Sequence, residues 1–466
     1  MPASDELIGR DAMHRLAIDP KLRRTLIYLW NQLANLNRYE VPRSDAELPL
    51  FSREWPRVRP GHRVIRMSEG LKPVFHQCVS RLASAAACRN TVSPTTIQAE
   101  LGNTIEWALD AQLSGGKRPG GEEAIDRLLA SIAASCKAHM YYFPLGVGQW
   151  PESWVLDFGD TEIFLFSHAH LEELTGSLIS SQDPRKRQFG TQQQGFIEKT
   201  YLGRCCARCK AFGDSLLSHQ VAARAAEDAV NLLRFGLAAG NPETIPYAYP
   251  SFHLSEDPLV DSEALVELVG EEQTLTHRHS MPATELITNG FDEQSLRQLH
   301  ELFFFDELCK IARSRSRSAI EERALVACTW VGSAMADRNL DGRFLRLWFA
   351  VEAMVGNLQS GDDESVSDKL ASRLSHLVLV AGRWHFAPKE APLRMRRLAG
   401  LYALRSKIVH RGVRRITSVD DLRDLGTLAT SGTLALLDLI QRGVRTGSEL
   451  IAILQSCEGA GGSLNV

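Results

Sequence analysis

Leu401–Gly412 reads LYALRSKIVHRG, and its spacing predicts a helix that is apolar along one side and cationic at its end. Leu398, Leu401, Leu404 and Ile408 follow one another at offsets of three, three and four, the repeat of a single helical face. Tyr402 and Val409 widen the stripe, so a buried helix is expected, with Gly412 as its stop. Arg405 falls beside the stripe, at the rim of the packed face, where a guanidinium is suited to bidentate phosphate recognition. His410 lies in the last turn, where the helix dipole favours the protonated ring.

Outward from this helix, residues 391 to 419 carry Arg394, Arg396, Arg397, Arg405, Lys407, Arg411, Arg414 and Arg415 and no Asp or Glu. Such a block attracts phosphate, although a solvated basic face accounts for many charge runs. The whole chain has a formal net charge of -3 and a pI near 6.5, so contact with nucleic acid has to be focal rather than spread over the surface. An Arg and a His five apart discriminate nothing by themselves in a chain with 14 His.

With 466 residues, 44% of them hydrophobic, the chain is long enough for more than one core. Residues 1–138 read as mostly helical, with periodicity over Leu22–Leu36, a start at Ser93-Pro94 and a helix from Glu122 to Cys136. From Met140 the period becomes two. Trp154, Leu156 and Phe158 alternate, Gly159-Asp160 turns and Thr161–Phe166 returns, so 139–289 is expected to be a β-containing middle domain. Further strands are expected at Lys199–Phe212 and Ile245–Leu254, around a helix from Asp214 to Leu237.

After Asn289-Gly290 the pattern is helical: Asp292–Ala312, Ser318–Arg338, Arg343–Leu358, Ser367–Val380, Leu393–Arg411 and Val419–Gln441. A helical bundle over 290–445 follows, with a C-terminal tail at 446–466 that is expected to be loose from Cys457. The fold class is α+β, predominantly helical: a helical N-terminal region, a β-containing middle and an all-α bundle. The charged N-terminus lacks a secretory core, no long uncharged apolar run occurs, and nine Cys suit a reducing compartment, so a cytoplasmic location off the membrane is expected.

Three pieces then stand in order: RFLRLWFAVEAMVG at Arg343–Gly356, SDKLASRLSHLV at Ser367–Val378 and LYALRSKIVHRG at Leu401–Gly412. Together they resemble the HEPN ribonuclease superfamily, specifically its ApeA-like branch, across the last third of the chain. That family usually has Gly directly after the motif His. Here Arg411 intervenes before Gly412.

The resemblance implies an endoribonuclease that needs no metal or other cofactor, with Arg405 and His410 as catalytic residues. Glu352 and Ser406 would support them, and Lys407, Arg411, Arg414 and Arg415 would contact RNA phosphates. It further implies a homodimer or larger homo-oligomer through the bundle, and toxin-like RNA cleavage, possibly of tRNA, in antiphage defence by abortive infection, released by a phage or cellular trigger. Geometry adds an expectation of its own. Five positions on a helix mean about 140° of rotation and about 7.5 Å of rise, so Arg405 and His410 of one straight helix should converge poorly, which favours a composite site across a twofold axis.

Glu352 lies near the apolar face of its helix, where a carboxylate is costly unless paired; an ordinary helix-edge acid is the competing reading. Arg373 is read as closing an internal ion pair. The run Arg313-Ser314-Arg315-Ser316-Arg317-Ser318 fits a solvated connector as well as an RNA path, with Ser318 capping the next helix. Cys205, Cys206 and Cys209 lack a second CxxC, and strand alternation would split their thiols between faces, so zinc is disfavoured there and at His277 and His279. No P-loop, strand-linked GxGxxG or nucleophile motif occurs. The runner-up is a non-catalytic RNA- or nucleotide-binding dimerisation module; a DNA-binding regulator lacks a recognition helix.

Overall fold

The computed structural model describes residues 18–34, 39–40, 66–67, 69–85, 88–89, 91–145, 150–247, 266–269, 275–276, 292–337, 339–356, 366–380, 391–414 and 416–459. His277, His279 and Arg415, and most of the expected strand Ile245–Leu254, lie outside them. Contacts divide the chain into two compact units: Met1–Met140 with Lys210–Val221 and Leu268–Thr274, and Tyr141–Cys209 with Ala222–Glu267 and Leu275–Val466.

The first unit holds helices α1 (Pro20–Leu33), α2 (Lys72–Ala83), α3 (Pro94–Leu113) and α4 (Gly121–Ser135), and a small antiparallel pair, β1 (Tyr39–Glu40) with β2 (Arg66–Met67). α1 and α3 start as their sequences require, with Asp19 and Ser93 as caps and Pro in the first turn. Their apolar stripes meet in a core that includes Trp30, Phe75, Leu101 and Leu128. Buried Asp214 accepts the Ser93 N–H at 2.6 Å and the Leu217 N–H at 2.7 Å, so one carboxylate serves the starts of two helices.

Next come β3 (Lys137–Pro144), β4 (Leu156–Asp157), β5 (Thr161–Leu165), α5 (His168–Ile179), α6 (Pro184–Tyr201), β6 (Cys205–Gly213), α7 (Ser215–Gly240), β7 (Val266–Val269) and β8 (Leu275–Thr276). The strands form a sheet in the order β4-β5-β6-β3-β7-β8. β4 and β5 pair antiparallel around the Gly159-Asp160 turn, with Leu156 opposite Ile163, and β5 pairs antiparallel with β6. Across that second pair Glu162 faces Arg208, which binds it and also lies over the Phe164 ring.

Two expectations fail in this stretch. Lys199–Tyr201 ends α6 rather than starting a strand, and Pro242–Tyr247 is a 3-10 helix. Helices α5 and α6 were not anticipated; α6 buries only Gly190, Gln193, Ile197 and Tyr201 along 18 residues, too sparse and polar a stripe to show as apolar periodicity.

The remainder is helical, as expected: α8 (Glu293–Leu302), α9 (Phe305–Arg313), α10 (Ala319–Ala336), α11 (Leu340–Val355), α12 (Val366–Val380), α13 (Ala391–Arg411), α14 (Val419–Gln441) and α15 (Gly447–Gly459). The single helix expected over Asp292–Ala312 is two, because Phe304 adopts a left-handed conformation with φ 55° and interrupts the hydrogen-bond ladder. The C-terminal tail forms a helix through Gly459, with Leu450 and Leu454 buried, so the first three residues of the stretch expected to be loose from Cys457 are helical. α14 is buried along nearly its whole length from Leu422 to Ile440 and packs on α10, α11 and α12. Gly332 of α10 faces the Asn231 backbone of α7 so closely that a Cβ would lie 1.8 Å from the Asn231 oxygen. None of the described helices is long and apolar enough to cross a membrane.

Candidate functional site

α13 packs on α12, with smaller contacts to α11 and α14. Its stripe is buried only in part, which corrects the expectation of a buried helix. Leu398 and Leu401 are covered, Leu404 and Ile408 are half-buried, and Val409 is 45% exposed. The three neighbouring helices cover the first part of the stripe fully and its last two turns only in part.

Trp348 of α11 is fully buried, with Tyr402 of α13 edge-on to it at 5.7 Å. The Trp348 indole donates to Glu352 Oε1 at 2.8 Å, and Arg405 Nη2 lies 3.2 Å from the same oxygen. The Trp348–Glu352 spacing of four residues places both on one side of α11, and α13 presents Tyr402 and Arg405 to that side at a spacing of three. Glu352 is therefore not an unpaired helix-edge acid: its carboxylate holds the Arg405 guanidinium.

Arg405 Nη1 also lies 3.4 Å from His410 Nε2. The expectation that these two side chains fail to converge within one helix is overturned, because the guanidinium sits at the end of a long flexible stem that spans the rise and rotation between them. The Arg405 side chain is 18% exposed, and its Nε is buried with no hydrogen-bond partner among the described residues. His410 is exposed. Acceptor, guanidinium and imidazole thus form a chain of successive contacts from the buried Trp348 to the exposed His410.

Around His410 the helix presents Lys407 and Arg411, and Arg414 follows beyond its end; all three are exposed, and Ser406 is half-buried. Gly412 has φ 62° and stops α13, with the Val413 N–H reaching back to the Lys407 carbonyl at 3.4 Å. The chain is then held by buried Asp341 at the start of α11, which accepts the Thr417 N–H at 3.1 Å and its hydroxyl at 2.6 Å.

The basic block is less free than its count implied. Arg397 donates to Asp424 at 2.6 Å and Asp421 at 2.8 Å on α14. Burial pushes the Asp421 carboxyl up, but bonds from Ser418 and the Arg397 charge outweigh this and hold it below the usual carboxylate range. Arg373 donates to the Val355 carbonyl at 3.3 Å, and Arg323 donates to the Ala353 and Gly356 carbonyls at 2.9 and 2.8 Å. Both arginines therefore satisfy carbonyls at the C-terminal end of the helix that carries Glu352.

No family model, curated protein or solved structure significantly matches this chain.

Away from this site, Cys205, Cys206 and Cys209 are buried in β6, and burial pushes the Cys209 thiol up to about 12, the opposite of what a thiolate ligand or nucleophile requires. Among the described residues no group of three or more His, Cys, Asp or Glu is placed to hold a metal ion. Trp348 and Tyr402 are the supports that reading the sequence had not assigned to the site. The signal was available for Trp348, an aromatic donor four residues before a carboxylate.

Proposed function

We propose that this protein is a metal-independent endoribonuclease of the HEPN type, acting as a homodimer or larger homo-oligomer in cytoplasmic antiphage defence by abortive infection. The observation that carries the reading is the chain of contacts Trp348–Glu352–Arg405–His410, with an exposed imidazole at its outer end. Glu352 positions the Arg405 guanidinium, whose N–H groups stabilise charge on the phosphoryl oxygens. His410 removes the proton from a ribose 2'-hydroxyl or returns one to the leaving 5'-oxygen; histidine ordinarily exchanges protons near neutrality. The 2'-oxygen bonds to phosphorus as the P–O5' bond breaks, leaving a 2',3'-cyclic phosphate and a 5'-hydroxyl.

Lys407, Arg411 and Arg414 surround the reacting phosphate with exposed cations, which suits a focal RNA contact on a chain of near-neutral charge. Self-association is supported by the uncovered apolar margin of the same helix, where Val409 and Val413 are 45% and 38% exposed. A partner covering that margin would bring two Arg–His pairs together.

The test is incubation of the purified chain with total RNA and with tRNA in EDTA, beside Arg405→Ala and His410→Ala proteins of unchanged circular dichroism, with the new ends mapped. Cleavage that leaves cyclic phosphates and is lost in both variants supports the reading. RNA binding without cleavage, in vitro and in phage-challenged cells, replaces it with the binding-module alternative.

A further inference from the structure

The second unit contains a cavity of about 590 Å³ that shares no residue with the Arg405 site. It falls within the roughly 300–1,000 Å³ typical of small-molecule sites. Its walls come from the β4–β5 turn, from α7, and from α10 with the α9–α10 connection that carries Arg313, Arg315 and Arg317.

These arginines belong to an ordered loop. Arg317 donates to the Ile311 and Ala312 carbonyls at 2.8 and 2.6 Å, and Ser314 Oγ donates to the Ser316 carbonyl at 3.0 Å. The opposing turn is pressed against the same loop: Gly159 has φ +92°, and a Cβ there would stand 3.2 Å from the Ala312 oxygen. Arg313 and Arg315 line the cavity beside Arg317. Asp157 accepts the Gly159 N–H at 2.8 Å and lies 3.8 Å from Arg313. The α7 wall presents Asp228, whose carboxyl is pushed above the ordinary range by desolvation and by Glu227, against the pull of Arg224. Between the charged walls, the lining includes Ala225, Ala229, Leu232 and Leu325.

We propose that this cavity binds a guanine nucleotide, with its phosphates on Arg313 and Arg315, its base against the alanine and leucine lining, and its N1–H and amino edge on Asp228. Paired arginines match phosphate oxygens through two N–H groups each. A carboxylate matches two adjacent N–H donors, which guanine offers and adenine does not. The apolar side chains among the lining suit a ring rather than a bare anion. The site would give the chain a small-molecule input independent of RNA.

The experiment is calorimetric titration of the full chain with GTP, ATP and inorganic pyrophosphate, and with a short single-stranded RNA, repeated on Arg313→Ala/Arg315→Ala and Asp228→Asn proteins whose unfolding midpoints match the parent. Saturable GTP binding at least tenfold tighter than ATP or pyrophosphate is expected. The double arginine variant should lose it, while Asp228→Asn should level GTP with ATP and keep pyrophosphate. Equal binding of all three phosphates, binding of RNA alone, or no binding would each overturn the proposal. None of these readouts depends on RNA cleavage.

Discussion

Arg405 Nη1 and His410 Nε2 lie 3.4 Å apart although they project from positions five residues apart on one helix. The same guanidinium reaches Glu352 through its other terminal nitrogen at 3.2 Å. One side chain therefore connects α11 to the end of α13. That double engagement requires a fork.

Arg405→Lys keeps the charge but offers one nitrogen in place of two. On the proposed nuclease reading, RNA cleavage should fall about a hundredfold or more, with the unfolding midpoint little changed. Single-turnover cleavage beside a thermal melt checks this. Activity near that of the parent would remove the bidentate argument.

Glu352→Gln preserves an oxygen for the Trp348 indole and removes the charge facing Arg405. A hydrogen bond to a charged group contributes about 1.5–3 kcal/mol, discounted here because the Glu352 side chain is 34% exposed, so a drop in cleavage of roughly tenfold is expected. The pH profile of the residual activity should keep its shape. Glu352→Ala, which also orphans the indole N–H, should lower stability as well.

Asp341→Ala would leave the buried Thr417 N–H and hydroxyl unsatisfied. A cost of about 1–3 kcal/mol is expected, measurable by urea unfolding. Amide hydrogen exchange should rise through residues 412–418, the segment that Asp341 ties down.

Gly332→Ala should be poorly tolerated. A Cβ at 1.8 Å from a backbone oxygen forces α7 and α10 apart, and overpacking of this kind costs about 3 kcal/mol or more. A thermal melt decides it; an unchanged midpoint would mean that the two helices separate freely.

Acid should weaken the first unit through Asp214. Burial raises its carboxyl, but hydrogen bonds from Leu217, Ser93 and Thr96 prevail and hold it below the ordinary carboxylate range. The stabilisation is therefore complete above that range and is lost as pH falls through the depressed folded value. Asp214→Asn should lower stability at neutral pH and flatten its fall towards acid, read from urea midpoints across pH.

What could be read directly from the residues were the elements with strong periodicity and clear ends. The helices from Ser318 onward fall close to their expected spans because caps such as Ser318 and Ser418 and stops such as Gly412 act locally. The β4–β5 hairpin was legible for the same reason. Helix α6 was not, because its buried stripe is nearly as polar as its exposed face, and Phe304 gave no sign of a left-handed break.

The candidate pair Arg405 and His410 was likewise visible as two residue types near the end of an amphipathic, cationic helix. Local spacing alone suggested that they diverge. Their approach depends on a third residue from another helix, Glu352, fixed by the buried Trp348, and on a flexible side chain whose direction no periodicity encodes. The burial of α13 followed the same division: composition marked the apolar stripe, but only the placement of α11, α12 and α14 decided that Leu401 is covered while Val409 faces solvent. Spacing along a chain determines which residues share a face, whereas what meets that face is set by long-range packing.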